Sequence, residues 1–223
     1  MPVKSSPQRA IVMAAGEGSR WGEYMDVPKH LIEVDGEPIL HRTVRLLKQH
    51  VPEVWVVARN DERYRRHTGY TMTVDPLSSD MDKFWSSRQL WEGTHSVLVY
   101  GDCYFTEQAI PVITQPVSEW TLFCRPGESA FTGGQYGECW AYSVPVRDQQ
   151  WFTDRITWLA GAHSLGRLGR VGGWELYRAM LNKPMHHEMY DHFIEINDWT
   201  EDFDFPSDYD IWLQRFEKWS KQQ

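Results

Sequence analysis

The sequence predicts an α/β fold built on a mainly parallel sheet. Short runs of β-branched and apolar residues, typical of buried strands, recur along the first hundred residues. Helical patterns separate these runs, and the connections between them are short. Strand–helix–strand units of this kind have right-handed crossovers that place their strands side by side and parallel.

The first such unit contains the opening strand, predicted at Ala10–Ala14. A glycine-rich loop follows this strand. Apolar residues at helical spacing then begin at Pro38 and continue to near His50, with the proline suited to a first helical turn. A second apolar run at Val54–Ala58 completes the unit.

The same alternation continues to the end of the chain. Further strands are predicted at Thr71–Val74, Ser96–Tyr100, Thr121–Cys124, Cys139–Val144 and Phe193–Ile196. Helices are predicted at Asp61–His67, Lys83–Trp91, Thr106–Ile113, Asp148–Ala160 and Gly173–Leu181. After Pro206, a possible capping box at Ser207 and Asp210 precedes an apolar stripe that predicts a final helix. No repeat or linker interrupts the pattern, so residues 1–223 are predicted to form a single domain.

Composition and charge exclude several classes of protein. Hydrophobic residues make up 41% and charged residues 24% of the 223 residues, which is typical of a globular protein. The net charge of -8 offers no general attraction for nucleic acid or an anionic membrane. No signal peptide or spanning segment is recognisable, and the three cysteines lack disulfide or zinc spacing, so a cytoplasmic location is predicted. The oligomeric state stays open.

The loop after the first strand carries glycines at 16, 18 and 22. Glycines at such a place let backbone amides approach phosphate closely. The spacing Gly-x-Gly-x-x-x-Gly differs from the dinucleotide-binding fingerprint, and no Gly-Lys-Ser/Thr follows. A phosphate-containing ligand is therefore indicated, whereas a dinucleotide-dependent oxidoreductase and a P-loop kinase are disfavoured.

Three ordered segments carry a family resemblance. They read Ala-Ala-Gly-Glu-Gly-Ser-Arg-Trp-Gly at residues 14–22, Pro-Lys-His-Leu at 28–31 and Gly-Glu-Pro-Ile-Leu at 36–40. This arrangement resembles the nucleoside-triphosphate transferase family, which includes sugar-1-phosphate nucleotidylyltransferases and molybdopterin guanylyltransferases. The resemblance implies a Rossmann-like three-layer sandwich with a mostly parallel mixed sheet, of the nucleotide-diphospho-sugar transferase type.

The resemblance also implies where a nucleoside triphosphate binds. Arg20 would contact the triphosphate and Lys29 the α-phosphate, and these are the predicted catalytic residues. Cations are also what a transferring phosphoryl group requires, because negative charge gathers on its oxygens. The predicted nucleotide-binding residues are Ala14, Ala15, Gly16, Glu17, Gly18, Ser19, Ser86, Ser87 and Gly101. The base itself stays open.

Two aspartates are expected to hold Mg²⁺. Asp102 follows the predicted strand Ser96–Tyr100, and ligands of open parallel sheets bind beyond the carboxyl ends of strands. The segment Asp-Phe-Pro-Ser-Asp-Tyr at 204–209 resembles Asp-Thr-Pro-Glu-Asp-Tyr of sugar nucleotidylyltransferases, which selects Asp204 as the second ligand. Asp198 and Asp202 remain alternatives.

The predicted activity is Mg²⁺-dependent transfer of a nucleoside monophosphate from a nucleoside triphosphate to a phosphorylated sugar, polyol or alcohol, with release of pyrophosphate. Glu138 and Glu175 are predicted to bind the hydroxyls of that acceptor. The alternative is a metal-dependent glycosyltransferase that uses a nucleotide sugar. Such enzymes usually carry Asp-x-Asp at the strand end, whereas this chain has Asp102-Cys103-Tyr104.

Overall fold

The computed structural model of the protein describes residues 3–22, 24–75, 77, 79–186 and 189–222. The strands are β1 (Arg9–Ala14), β2 (Glu33–Val34), β3 (Glu37–Pro38), β4 (Glu53–Ala58), β5 (Tyr70–Thr73), β6 (Ser96–Tyr100), β7 (Cys103–Tyr104), β8 (Thr121–Arg125), β9 (Glu138–Val144), β10 (Phe193–Glu195) and β11 (Glu201–Asp202). The helices are α1 (Ile39–Leu47), α2 (Asp80–Ser86), α3 (Arg88–Trp91), α4 (Ala109–Ile113), α5 (Gln149–Ser164), α6 (Gly173–Met180) and α7 (Pro206–Ser220).

Seven strands form one mixed sheet in the order β10-β8-β9-β6-β1-β4-β5. Neighbouring strands from β6 to β5 pair in parallel, as do β10 and β8. Only β9 runs antiparallel to both of its neighbours, β6 and β8. The predicted mostly parallel mixed sheet is therefore confirmed.

Each face of the sheet has its own apolar core. Along β1, Ala10, Val12 and Ala14 join one buried cluster, whereas Ile11 and Met13 join the other, because successive side chains of a strand point to opposite faces. Helices α1 and α4 cover the first cluster, and α2, α5 and α6 cover the second. This arrangement is the predicted three-layer sandwich.

A third, aromatic cluster lies beside the sheet. The buried rings of Trp212 and Phe216 on α7 stack at a centroid distance of 4.6 Å, and Trp199, Phe203 and Trp21 pack into the same cluster. Trp21 belongs to the glycine-rich loop, so this packing brings the C-terminal segment close to that loop. The pairing of β11 with β7 has the same effect, since it places Asp202 opposite Cys103.

The predicted helix Lys83–Trp91 is wrong in one respect, because it is two helices that meet at Ser87. The Ser87 hydroxyl donates to the carbonyl oxygen of Phe84 at 3.0 Å, and the Trp91 indole donates to the same oxygen at 3.1 Å. Side-chain donors that take a helical carbonyl in this way compete with the backbone and bend the helix.

Two other local predictions also need correction. The stretch Asp61–His67 forms only a short 3₁₀ turn at Glu62–Arg65. The final helix begins at Pro206, and its first turn is closed by Asp208, whose Oδ2 accepts from the Phe205 N–H at 2.8 Å. The capping box at Ser207 and Asp210 is therefore absent. Of the helices described, none joins the length to the apolar character that crossing a bilayer would demand.

Candidate active site

The glycine-rich loop leaves the carboxyl end of β1 at the middle of the sheet. Gly18 and Gly22 have φ values of 68° and 63°, in the left-handed region that favours glycine. Gly16 lies against Leu77, whose N–H donates to the carbonyl oxygen of Ala15 at 3.0 Å. The loop thus turns back across the end of the sheet.

Gly101, at the end of β6, is required by a close approach of two chains. A Cβ at this position would lie 2.6 Å from the carbonyl oxygen of Met13. Its N–H donates to that same oxygen at 3.0 Å. The absence of a side chain therefore lets β1 and β6 deliver the loop and Asp102 to the same edge.

Lys29 is a buried cation at the centre of the cleft. It begins a short 3₁₀ turn, Lys29–Leu31, directly after Pro28. Its Nζ lies 2.5 Å from Oδ2 of Asp102 and 3.7 Å from Oδ1 of Asp204. Burial opposes the charged form, but the surrounding aspartates, Asp102 first, outweigh it and raise the pKa of Lys29, so the ammonium is retained.

Arg20 reaches the same group of acids from the glycine-rich loop. Its Nη1 lies 2.5 Å from Oδ2 of Asp204, and its guanidinium lies over the ring of Phe205 at 5.5 Å from the centroid. Asp204 therefore joins the two predicted catalytic cations, and both predicted metal ligands contact Lys29.

The carboxylate that clusters with Asp102 is that of Asp202. One ligand atom from each of Asp102, Cys103 and Asp202 lies within 4.8 Å of the others. Burial, followed by the charge of Asp102, raises the pKa of Asp202 well above its usual value. Within the described part of the chain, its buried Oδ1 has no hydrogen-bond partner.

These residues fit a hard divalent cation. Such cations prefer carboxylate oxygens, and an ion beside Asp202 would supply the partner that its Oδ1 lacks. Burial raises the pKa of the Cys103 thiol well above its usual value, which makes this sulfur a weaker ligand than the two carboxylates. The chemistry of the set therefore favours a hard, oxygen-binding cation over zinc.

The predicted acceptor residues separate in the structure. Glu138 lies in the cleft, where burial, Glu201 and Asp204 raise its pKa to about 8. Glu175 instead caps α6, since its Oε2 accepts from the Gly172 N–H at 2.9 Å, and it does not line the cleft. Likewise, the hydroxyls of Ser86 and Ser87 donate to the carbonyl oxygens of Lys83 and Phe84 within their own helix, away from the cleft.

The cleft has two connected parts. The smaller cavity, of about 190 Å³, is lined by Gly16–Arg20, Lys29 and Asp102, and the larger cavity has about 780 Å³. Both are lined by Arg20, Glu138, Arg170, Trp174, Asp202 and Asp204. Arg20, Asp202 and Asp204 therefore lie where the two cavities meet.

A buried ion pair holds the wall of the larger cavity in place. The guanidinium of Arg125 makes two 3.0 Å hydrogen bonds to the carboxylate of Glu201, and Thr132 donates a third to the same carboxylate. Glu201 directly precedes Asp202, so this pair also fixes the backbone next to the acidic cluster. Sequence reasoning missed this pair, together with Asp80, Lys83 and Tyr100 in the smaller cavity.

The fold places the protein in the class of α/β proteins with a mostly parallel mixed sheet, and solved structures share it. The inositol-1-phosphate CTP transferase of T. maritima has a TM-score of 0.64 at 14% identity, covering 97% of this chain and 98% of that one. The CTP:phosphocholine cytidylyltransferase of Streptococcus pneumoniae has a TM-score of 0.59 at 14% identity, covering 92% and 96%. At this identity the likeness establishes the fold.

Comparison of the sequence with known families and proteins gives a more specific likeness than the fold does. Residues 10–83 match the family described as MobA-like NTP transferase domain. A segment of 58 residues is 45% identical to the bifunctional IPC transferase and DIPP synthase of Thermococcus kodakarensis. That segment covers 26% of this chain and only 12% of the archaeal protein. The resemblance predicted from residues 14–40 is therefore confirmed.

Proposed function

We propose that this protein is a divalent-metal-dependent nucleotidyltransferase that transfers a nucleoside monophosphate from a nucleoside triphosphate to a phosphorylated small molecule. A phosphate oxygen of the acceptor attacks the α-phosphorus. The bond between the α-phosphorus and the oxygen that leads to the β-phosphate breaks, and its electron pair leaves with pyrophosphate. The acceptor phosphate is already ionised near neutral pH, so the reaction requires no general base.

The observation that carries the proposal is the position of Lys29. A buried ammonium held between Asp102 and Asp204, beside a glycine-rich loop that lines the same cavity, is suited to a polyanion that arrives with a cation. Lys29 and Arg20 would offset the charge that develops on the phosphate oxygens, and the N–H groups of Gly16 and Gly18 would orient the phosphate chain.

Asp102 and Asp202 are the residues that we propose to hold the metal, with Asp204 beside them. Magnesium is the proposed ion, because hard carboxylate oxygens are the available ligands. When bound, it would neutralise charge on the phosphate oxygens. The expectation that Asp204 is the second ligand is thus replaced by a proposal for Asp202, with the ion pair to Arg20 as the main contact of Asp204.

The larger cavity is the proposed place of the acceptor, which we expect to be a phosphorylated sugar, polyol or alcohol. Burial and the neighbouring acids raise the pKa of Glu138 to about 8, which favours a protonated carboxyl that can donate a hydrogen bond to an acceptor hydroxyl. Glu175 has no part in this proposal, since its carboxylate caps a helix.

The proposed partners are this nucleotide and this acceptor, rather than nucleic acid or a membrane, as the net charge of -8 favours. We also propose that residues 1–223 act as one nucleotidyltransferase domain in the cytoplasm. Three unpaired thiols, at Cys103, Cys124 and Cys139, are compatible with a reducing compartment.

A substrate matrix tests the proposal. The four ribonucleoside triphosphates and dTTP are each combined with a panel of phosphorylated sugars, polyols and alcohols, with and without Mg²⁺, and pyrophosphate release is measured. We expect release that requires a matched pair and the metal. Release of a nucleoside diphosphate from a nucleotide sugar, with no pyrophosphate from any pair, would instead identify the glycosyltransferase.

A further inference from the structure

A second lysine lies in the smaller cavity, on α2. Lys83 Nζ donates to Oδ1 of Asp80 at 2.9 Å, and the Tyr100 hydroxyl donates to Oδ2 of the same carboxylate at 3.1 Å. All three side chains line the smaller cavity. We call them the Lys83 group.

The ammonium of Lys83 lies against the glycine-rich loop. Its Nζ is 3.6 Å from the position that a Cβ would take at Gly16. The Lys83 side chain is 17% exposed. Burial opposes its charge, but Asp80 and then Asp102 outweigh that cost and raise the pKa of Lys83. A charged ammonium is thus maintained beside the loop.

The arrangement around Asp80 is more specific than an ordinary ion pair between successive helical turns. An exposed pair three residues apart contributes little to stability and needs no further support. Here the second carboxylate oxygen is held by Tyr100 at the end of β6, so the sheet orients the carboxylate and the carboxylate orients the lysine. An ammonium has three N–H donors, and Asp80 accepts from one of them.

We propose that Lys83 is a second phosphate-binding cation of the nucleotide site, positioned by Asp80 and Tyr100. The inference rests on the proposed function and extends it. Lys83 would contact phosphate oxygens from the side of Gly16, in the same cavity as Lys29. Asp80 and Tyr100 are positioning residues, because they act through the lysine.

A base-independent ligand provides the test. Binding of magnesium tripolyphosphate is measured by calorimetry for the wild type, Lys83→Met, Lys83→Arg and Lys48→Met, with thermal unfolding of each. Lys48 is a matched control, because its Nζ donates to the Thr68 carbonyl oxygen on the surface. We expect at least tenfold weaker binding for Lys83→Met, recovery to within about threefold for Lys83→Arg, and wild-type binding for Lys48→Met.

Two further variants keep the test informative if Lys83→Met fails to fold. Asp80→Asn and Tyr100→Phe retain the lysine, and each should weaken tripolyphosphate binding by a few-fold and raise the KM for the nucleotide, with the KM for the acceptor unchanged. Unchanged binding in these two variants, or in folded Lys83→Met, overturns the proposal.

The remaining outcomes are also decisive. A wild type that does not bind tripolyphosphate overturns the proposal. A Lys83→Met protein that binds tripolyphosphate normally but has lost affinity for nucleoside triphosphate also overturns it, since the lysine would then contact the nucleoside. The binding assay needs neither acceptor nor turnover. A protein that binds tripolyphosphate through Lys83 but releases no pyrophosphate with any substrate pair therefore contradicts only the proposed function.

Discussion

The two halves of the cleft are built differently. The smaller cavity, of about 190 Å³, is lined by glycines and by charged side chains that hold one another in ion pairs. The larger cavity, of about 780 Å³, contains exposed apolar side chains, among them Tyr136, which is 76% exposed. The glycine-rich loop, Lys29 and Lys83 of the smaller cavity lie within residues 10–83, the part of the chain that matches the family, whereas the wall of the larger cavity, apart from Arg20, lies outside it.

This difference indicates a division of work between the halves. Charged groups that are already paired lose little freedom when a phosphate chain binds, which suits a part that must position the reacting atoms accurately. Exposed apolar side chains around a wide cavity suit selection of a partner by shape. Changes in the first half should therefore alter turnover, whereas changes in the second should alter acceptor affinity or the stability of the wall.

Replacement of Lys29 should have the largest effect. Lys29→Met removes the central cation, and we expect a loss of about 10³-fold in kcat, as for other preorganised groups that stabilise developing charge. Steady-state pyrophosphate release measures it, with thermal unfolding to verify the fold and Lys48→Met as the control. A Lys29→Met enzyme whose kcat lies within tenfold of the wild-type value would contradict the division of work between the two cavities.

Loss of the Arg125–Glu201 ion pair should destabilise the protein, because this pair holds the wall of the larger cavity. Arg125→Met leaves the buried Glu201 carboxylate without its charged partner, and we expect a loss of about 3–5 kcal/mol in the free energy of unfolding. Urea denaturation measures it. The double variant Arg125→Met/Glu201→Leu should recover part of the loss, because no charge is then left unpaired.

The exposed pair between Arg45 and Glu37 is the control for this experiment. Glu37→Gln should cost less than about 1 kcal/mol, because exposed ion pairs contribute little. Equal losses for the buried and the exposed pair would show that the wall does not depend on the buried one.

Variants of Asp202 and Asp204 test which of the two carboxylates belongs to the proposed metal site. Loss of a residue that only supports a metal ligand typically weakens metal binding by roughly 10- to 100-fold. We expect Asp202→Asn, which removes a proposed ligand, to weaken metal binding by at least that much, and Asp204→Asn to have the smaller effect. Calorimetric titration with Mn²⁺, and the Mg²⁺ concentration for half-maximal activity, measure the difference. The reverse order would assign the second ligand to Asp204.

Tyr136 should give the smallest effect and the most selective one. Tyr136→Ala removes an exposed aromatic surface from the larger cavity, and a contact worth about 1 kcal/mol corresponds to a roughly fivefold rise in the acceptor KM. The KM for the nucleotide should not change. Trp158→Ala, an exposed aromatic on α5 away from the cleft, is the control. A change in the nucleotide KM would contradict the separation of the two halves.

Much of the fold could be predicted because each buried strand appears in the sequence as a short run of apolar and β-branched residues. β6 matches its predicted bounds, and the other strands of the large sheet agree to within one residue at each end. The ends of the helices were harder to predict than those of the strands. The break at Ser87 depends on a hydroxyl and an indole that share the Phe84 carbonyl oxygen, and this competition leaves no mark in hydrophobic periodicity.

In the candidate site, the residues that the sequence located best follow a strand or belong to a continuous motif. Lys29, Arg20 and Asp102 do converge, and Asp204 joins them. Ser86, Ser87 and Glu175 were assigned by their place in the chain, but their side chains satisfy nearby backbone groups. Polar residues at helix ends serve these two purposes equally well, and only side-chain direction separates them.

The sequence alone therefore determined the layered α/β architecture and the glycine-rich loop after the first strand, because alternating burial and glycine spacing are local properties of the chain. The tertiary structure decided that Asp202 approaches Asp102, that Arg125 meets Glu201, and that Tyr100 holds Asp80. The first two contacts join residues 76 or more positions apart, and the first depends on the register of β11, a strand of two residues. Such a short strand has no hydrophobic alternation to set its register, so packing around α7 and the buried ion pair must select it.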